Sequence, residues 1–342
     1  MELLLITSQE HEKLPYAEIT AVLEAEEIEA DMDILREGLV ILRNLNENSF
    51  EHSYKRLTDR LAYTHEVCKL IKETTLNNLE EDFLNIDWGK IIDKTFVVRV
   101  KHFDSDIDSV KAERRLGQLV VDNWDVKVNL TKAKTLIRVI SFKDKIFITD
   151  EFYRLNKKHF QDLKPHKRPF FHPGSMSPKL ARCMVNLSRA KEGDLLLDPF
   201  CGTGGILIEG GMVGTRLVGC DINWKMKNGS KINLDYVGIK DYKTHQVDIN
   251  ELKMYEKVDE VVTDPPYGIS TTTGGRDDLI FKDFLISIYN NMKENARLVM
   301  ASPHYLDVDV FLDEVGFKLL ERYEIKMHRS LTRIISVISK IN

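Results

Sequence analysis

Short apolar runs recur along the C-terminal half of the chain: L-L-L-D (195–198), R-L-V-G-C-D (216–221), T-H-Q-V-D (244–248), E-V-V-T-D (260–264) and R-L-V-M-A-S (297–302). Stretches with helical spacing lie between them. Runs of strand length that alternate with helices predict an α/β unit, its parallel sheet covered on both faces. Two closing strands are expected at 317–326 and 334–339, joined by the turn H-R-S-L-T-R (328–333).

The N-terminal half reads as smaller units. Leu3 to Thr7 and Gly38 to Leu42 have strand patterns, and Pro15 to Glu27 places Ala17, Ala21, Leu23 and Ala25 at helical spacing. This is compatible with a split β-α-β arrangement. A long helix is expected over Ser53 to Thr74, from Leu57, Leu61, Val67, Leu70 and Ile71. A strand (Thr95 to Val100), a helix (Ser109 to Asn123) and three strands (Lys127 to Leu130, Thr135 to Ile140, Lys145 to Ile148) complete a second unit. The segment after Asp150 reads as helical up to Pro165, where Pro165, Pro169, Pro173, Gly174 and Pro178 break regular structure.

At 342 residues the chain is long for one core, and 43% apolar with 30% charged residues suits a folded rather than a disordered protein. No run of about 18 apolar residues is present, and the first residues lack the basic and hydrophobic regions of a secretion signal. A cytoplasmic, non-membrane protein is expected. Cys68, Cys183, Cys201 and Cys220 form no C-x-x-C pair, which argues against a zinc ribbon or a disulfide scaffold and predicts no metal. The net charge of −5 is uneven: residues 1–50 carry −9, leaving +4 for the rest. Between 154 and 168, Arg154, Lys157, Lys158, Lys164, Lys167 and Arg168 face only Asp162, an excess suited either to phosphates or to a solvated helix face.

The main candidate for a cofactor loop is D-P-F-C-G-T-G-G, Asp198 to Gly205, which ends a strand and opens a helix. Gly202 and Gly204 permit a tight turn and close approach of a ligand, flanked by Phe200, Cys201 and Thr203. Leu207 stands where a dinucleotide fingerprint needs its third glycine, and the Lys-Ser/Thr of a P-loop is absent, so a diphosphate is disfavoured. Asp221, at the next strand end, is placed to accept from both ribose hydroxyls. Asp248 is placed to accept from an adenine amine between Ile222 and Ile249, and Asp198 to face an ammonium. Ribose, adenine and amino acid together describe S-adenosylmethionine. The plain alternative is a tight turn with aspartate helix caps.

D-P-P-Y, Asp264 to Tyr267, closes the fourth strand. A nucleobase amine is a poor nucleophile because its lone pair is delocalised into the ring. The Asp264 carboxylate and the Pro265 carbonyl are suited to accept its two hydrogens, Pro266 stiffens the turn, and Tyr267 is suited to stack on the base. Methyl transfer by in-line attack then needs positioning rather than a covalent nucleophile, and Cys201 reads as a packing residue. H-P-G-S-M, 172–176, offers His172 and Ser175 to the methionine end of the cofactor, or is a simple connector. Trp88, Trp124 and Trp224 are assigned to packing, and Arg114 and Arg115 to phosphates or to solvent.

R-P-F-F-H-P-G-S-M-S-P-K-L-A-R, L-L-D-P-F-C-G-T-G-G-I-L-I-E, T-D-P-P-Y-G and H-R-S-L-T-R together resemble the archaeal tRNA guanine-10 N2-methyltransferases over the C-terminal half. More weakly, the N-terminal half resembles a ferredoxin-like domain joined to a THUMP domain. The resemblance implies a ferredoxin-like unit (1–52), a THUMP RNA-binding domain (53–150), a basic linker (151–178) and a Rossmann-like, seven-stranded class I catalytic domain (179–342). It also implies S-adenosylmethionine-dependent methylation of the exocyclic N2 of guanine-10 in tRNA, with Asp198, Gly202, Gly204 and Asp221 in cofactor roles and Asp264 to Tyr267 as the catalytic loop. THUMP would hold the acceptor end of the tRNA, and the base would leave its stack to react. D-P-P-Y also resembles the loop of DNA amino-methyltransferases, so ribosomal RNA guanine, DNA adenine or cytosine, and a noncatalytic RNA-binding role remain as rivals. The number of methyl groups added stays open, as does the oligomeric state, for which a monomer suffices.

Overall fold

The computed structural model describes residues 1–154, 157–266, 277–328 and 331–341. Their chain order is β1 (Leu3–Thr7), α1 (Leu14–Ala25), β2 (Asp31–Arg36), β3 (Leu39–Arg43), α2 (Phe50–Arg60), β4 (Thr64–Thr75), α3 (Leu79–Leu84), α4 (Trp88–Ile91), β5 (Thr95–Phe103), α5 (Ser109–Asn123), β6 (Lys127–Val128), β7 (Thr135–Phe142) and β8 (Lys145–Arg154). Then come α6 (Lys157–Asp162), α7 (Pro178–Leu187), β9 (Leu195–Asp198), α8 (Gly205–Val213), β10 (Arg216–Asp221), α9 (Trp224–Val237), β11 (Tyr242–Gln246), β12 (Val258–Thr263), α10 (Asp277–Asn291), β13 (Met292–Pro303), α11 (Asp309–Val315), β14 (Phe317–His328) and β15 (Leu331–Lys340). Among the described residues, no helix is long and apolar enough to cross a membrane.

The chain divides into two compact units, and neither is continuous in sequence. The first comprises Met1–Gln9, Glu29–Glu51 and Thr64–Leu155; the second comprises Glu10–Ile28, His52–Tyr63 and Asn156–Asn342. The division expected after residue 52 falls inside α2.

The first unit is built on one sheet in the order β2-β3-β1-β4-β8-β7-β5-β6. Its β5–β7 and β5–β6 pairs are parallel, and the others are antiparallel. Two expectations are corrected here. The helix expected over Ser53 to Thr74 ends at Arg60, and the remainder is β4, paired to β1 on one side and β8 on the other. Buried Thr64, Val67 and Cys68 pack against those two neighbours, and the Thr, Val and Ile of T-H-E-V-C-K-L-I-K-E-T-T suit a paired strand better than a helix. Likewise β8 runs to Arg154, so the segment after Asp150 begins as strand, and helix resumes only at Lys157.

The second unit carries the sheet β11-β10-β9-β12-β13-β15-β14. Neighbours from β11 to β13 are parallel, while β15 runs antiparallel to both β13 and β14. The chain leaves β9 in one direction to β10 and β11 and returns on the other side at β12. The reversal opens a crevice at the carboxyl ends of β9 and β12, where ligands settle in such sheets. One face is covered by α7 and α8 through Leu180, Met184, Leu187, Leu207 and Ile208; the other is covered by α10 and α11 through Phe284, Ile288 and Leu312.

Helix α1 and the segment 52–63 belong to this second unit through a buried polar junction. The Glu18 carboxylate, fully buried, accepts from the Ala62 and Tyr63 amides at 3.0 and 2.8 Å and from Asn186 Nδ2 on α7 at 2.8 Å. Arg60, 2% exposed, pairs with Glu26 at 2.6 Å and donates to Asn186 Oδ1. The Glu18 carboxylate is fully engaged, and Arg60 is held through Nε and Nη1 while Nη2 has no hydrogen-bond partner.

Candidate active site

The loop after β9 shapes the crevice. Gly202 (φ +50°) and Gly204 (φ +78°) both occupy the left-handed region, which turns the chain from strand to helix within six residues. A Cβ on Gly204 would stand 3.0 Å from Ser230 Cβ on α9, so glycine is needed there for space as well as for conformation. Cys201 N donates to the Cys220 carbonyl at 2.8 Å, tying the loop to the end of β10. Burial pushes the Cys201 thiol well above its ordinary range, in keeping with a packing role.

Three carboxylates stand at the crevice. Asp198 ends β9, is 2% exposed, and accepts from Thr263 Oγ1 at 2.7 Å across the reversal and from the Phe200 amide at 3.2 Å. Burial, with smaller contributions from Asp264 and Asp221, lifts its pKa to about 7. Asp221 ends β10; one oxygen accepts from Gly202 N at 3.0 Å and the other from Asn223 N at 2.8 Å, and burial raises its pKa despite both bonds. Asp264, one residue beyond β12, meets Arg333 Nη2 of β15 at 3.2 Å. The sequence marks Arg333 only as part of a polar turn.

A segment before α7 covers this loop. Ser175 Oγ donates to the His172 carbonyl at 2.7 Å and lies 3.1 Å from Thr203 Oγ1, while His172 Nδ1 is 2.8 Å from the Pro173 carbonyl. Asn233 on α9 binds Phe170 N and O and the Thr203 carbonyl. Gly229 makes room for Phe170: a Cβ there would lie 2.0 Å from the ring. The segment is thus part of the site and not a bare connector.

A cavity of about 190 Å³ results. Its lining brings together the expected His172, Ser175, Asp198, Phe200, Cys201, Gly202, Thr203 and Asp264, and adds Met176, Gly205, Ile206 and Met226. Gly204 and Asp221 adjoin it through the loop. Asp248 is not part of that lining; one of its carboxylate oxygens caps the turn Ile249–Glu251, accepting from Asn250 N at 2.9 Å. Ile249 packs into the core beside α10, and Ile222 is 65% exposed, its carbonyl accepting from Gln246 Nε2. Pro265 is buried and Pro266 exposed, while Tyr267 lies outside the described residues.

Other assignments change. Trp88 and Trp124 pack in the first unit, but Trp224 is 60% exposed at the first turn of α9: next to the Asn223 cap, it points away from the core. Arg168, read as part of a solvent- or phosphate-facing cluster, is 5% exposed because the proline-broken segment packs it beside Gly205. Arg115 is paired with Glu80 at 2.6 Å. No group of three or more His, Cys, Asp or Glu that could hold a metal occurs among the described residues.

A family model described as "RMKL-like, methyltransferase domain" matches residues 165–335, and one described as "DNA methylase" matches residues 43–231, ending before the Asp264 turn. A protein named tRNA (guanine(10)-N2)-dimethyltransferase from Methanothermobacter thermautotrophicus is 44% identical, with 100% of both chains covered. A protein of the same name from Methanocaldococcus jannaschii is 35% identical, over 98% of this chain and 99% of the other. The chain belongs to the tRNA (guanine(10)-N2)-dimethyltransferase family. Among solved structures, TrmN from Thermus thermophilus shares the fold, at 19% identity and a TM-score of 0.59 over 100% of both chains. In this member of the guanine(10)-N2-dimethyltransferase family, the glycine loop, the covering segment and the Asp264 turn meet at one cavity.

Proposed function

We propose that the second unit transfers methyl groups from S-adenosylmethionine to the exocyclic N2 of guanine-10 in tRNA, giving N2-methylguanosine and then N2,N2-dimethylguanosine. The observation that carries this is the meeting of Asp198, the glycine loop and Asp264 around one cavity. The 44% identity over the whole chain to a protein of that name supports the choice of substrate.

The residues present suit the cofactor. Asp221 stands where a carboxylate accepts from ribose hydroxyls, and Gly202 brings backbone rather than side chain to the ligand: its Cβ position is nearly open space. Phe200 and Met226 offer apolar surface. Asp198, poised near pH 7, takes up a ligand ammonium by remaining ionised beside it. When bound, the cofactor supplies an electrophilic methyl on sulfonium. The chain's own part is to orient the acceptor: Asp264, pinned by Arg333, accepts from the amine, the Pro265 carbonyl accepts the second hydrogen, and Tyr267 stacks on the base. Such positioning can account for about 7–11 kcal/mol of barrier lowering in favourable cases. A second methylation needs the same acceptor with only one hydrogen remaining, which a carboxylate alone serves.

The first unit is proposed as the RNA-holding part, with a ferredoxin-like portion and a THUMP domain that grips the acceptor end, so that RNA shape as well as the pocket selects the target. The protein is taken to act in the cytoplasm. The test is incubation of the full chain with an unmodified tRNA transcript and methyl-labelled cofactor, and then nucleoside mapping. Label at guanosine 10 is expected. Label in adenosine or cytidine would overturn the substrate, and no label in any RNA would overturn the activity.

A further inference from the structure

Two stretches that reach the cavity also leave aromatic rings in water. Trp224, the first residue of α9, is 60% exposed, and Phe171, next to the cavity-lining His172, is 49% exposed. Met226, two residues after Trp224, lines the same cavity. The stretches are clamped together: the Phe170 ring fills the space over Gly229, and Asn233 on α9 holds Phe170 N and O at 3.0 and 2.9 Å. Large rings left in water beside a cavity mark a surface that something else covers.

Positive charge gathers on the same two stretches. Lys231 follows Trp224 by seven residues, two helical turns, so both project to one side of α9, with exposed Lys225 next to Trp224. Over 162–171 and 224–237, Lys164, Lys167, Lys225, Lys227 and Lys231 meet only Asp162 and Asp235. Asp162 pairs with Lys167 at 3.7 Å, and Asp235 accepts from the Tyr242 hydroxyl at 2.6 Å. Lys164, Lys225 and Lys231 have no ion pair among the described residues. A second copy of the chain would bring the same lysines and be repelled, whereas a polyanion neutralises them, and rings set among cations suit nucleobases.

We propose that Lys164, Phe171, Trp224, Lys225 and Lys231 form a docking face for the RNA strand that flanks the target nucleotide. This rests on the RNA substrate proposed above. The lysines take phosphates, and Trp224 and Phe171 lie against bases uncovered when the target leaves its stem. Flipping one nucleotide leaves its neighbours with an open ring face, and an aromatic side chain that covers it favours the flipped state.

The test is filter binding of the full chain to an unmodified tRNA transcript over a salt series, with calorimetric S-adenosylhomocysteine binding as the control. Lys225→Gln with Lys231→Gln is expected to weaken tRNA about tenfold and to flatten the slope of log Kd against log salt by roughly 1 to 2, while the paired Arg substitutions stay within about twofold of wild type. Trp224→Ala is expected to weaken tRNA about 5- to 30-fold with the salt slope unchanged, as loss of stacking requires. S-adenosylhomocysteine should bind all variants within about twofold of wild type. If the wild type methylates tRNA and both variants bind it as the wild type does, the docking face is overturned and the substrate stands. Equal weakening of tRNA and S-adenosylhomocysteine marks a structural role and overturns it. So does a Trp224→Ala chain that sediments differently from wild type yet binds tRNA normally, since the face would then be a protein contact. If a variant does not fold, acetylation footprinting of the wild type decides: tRNA is expected to protect Lys225 and Lys231, and unprotected lysines overturn the proposal. A wild-type chain that methylates no RNA would instead sink the substrate reading, and this face with it.

Discussion

Arg333 on β15 reaches past β13 to hold Asp264 at the end of β12, with Nη2 3.2 Å from Oδ2. The pair is largely buried, so little water competes for it, and the carboxylate is fixed in one orientation at the mouth of the cavity. Asp264→Ala should suppress turnover while cofactor affinity stays nearly intact. Arg333→Met should lower kcat roughly 10²-fold, the scale expected when a catalytic group is misplaced, and leave the S-adenosylhomocysteine Kd within about twofold. Because both act on one carboxylate, the double variant should be scarcely worse than Asp264→Ala. Additive losses would show that Arg333 works elsewhere.

Asp198 predicts a pH dependence of both stability and binding. Its folded pKa of about 7 lies above the value of about 3.9 of an unfolded aspartate. The neutral form is therefore favoured in the fold, and the resulting stability, fully present below pH 4, is lost as pH rises toward 7. Asp198→Asn keeps an acceptor for Thr263 and removes the penalty. Its melting free energy should exceed that of the wild type by a margin that grows from pH 5 to pH 8, reaching roughly 2–4 kcal/mol. Ligand affinity should move oppositely: the wild type binds S-adenosylhomocysteine more tightly at pH 8 than at pH 6, and the variant loses that trend. A constant stability margin across pH would contradict the assignment.

Two glycines separate conformational from steric need. Gly204→Ala meets Ser230 and retains φ +78°, so it should cost about 1–3 kcal/mol, and removing the Ser230 side chain should recover little of it. Gly229→Ala has no positive φ, and its nearest clash is with the Phe170 ring. Its added cost should vanish in a Phe170→Ala background, as read by denaturant titration of the four proteins.

Asp221→Ala should weaken S-adenosylhomocysteine about 10²-fold, since two charge-assisted bonds of about 1.5–3 kcal/mol each are removed and partly replaced by water. A 2′,3′-dideoxy analogue should bind wild type and variant alike. A weakened dideoxy ligand would mean that Asp221 acts by shaping the Gly202 turn, to which it is bonded.

The second unit is legible in the sequence because its strands are short apolar runs bounded by turn residues: 195–198 and 216–221 match β9 and β10 residue for residue. The glycine loop and the Asp264 turn are legible because they are local motifs. The features hidden from a sequence reading depend on distant partners. β2 is an edge strand of D-M-D-I-L-R, too polar for a core pattern, and β4 is a strand only because β1 and β8 flank it. Arg333 and Arg168 look like ordinary surface cations in sequence; only the sheet order and the broken segment before α7 bury them. Asp248 caps the turn beyond its strand, the plain alternative that the sequence reading already held beside a cofactor role.

The insertion of α1 and residues 52–63 into the second unit has a consequence for how this enzyme is handled. A fragment beginning at residue 156 would carry every strand of the catalytic sheet yet strip α7 of its cover, leaving Asn186 without the Glu18 carboxylate and the Arg60 partners that hold it. The methyl-transfer half is therefore stabilised by the front of the chain: without residues 1–63, the buried polar side chain of α7 would lose the partners that satisfy it.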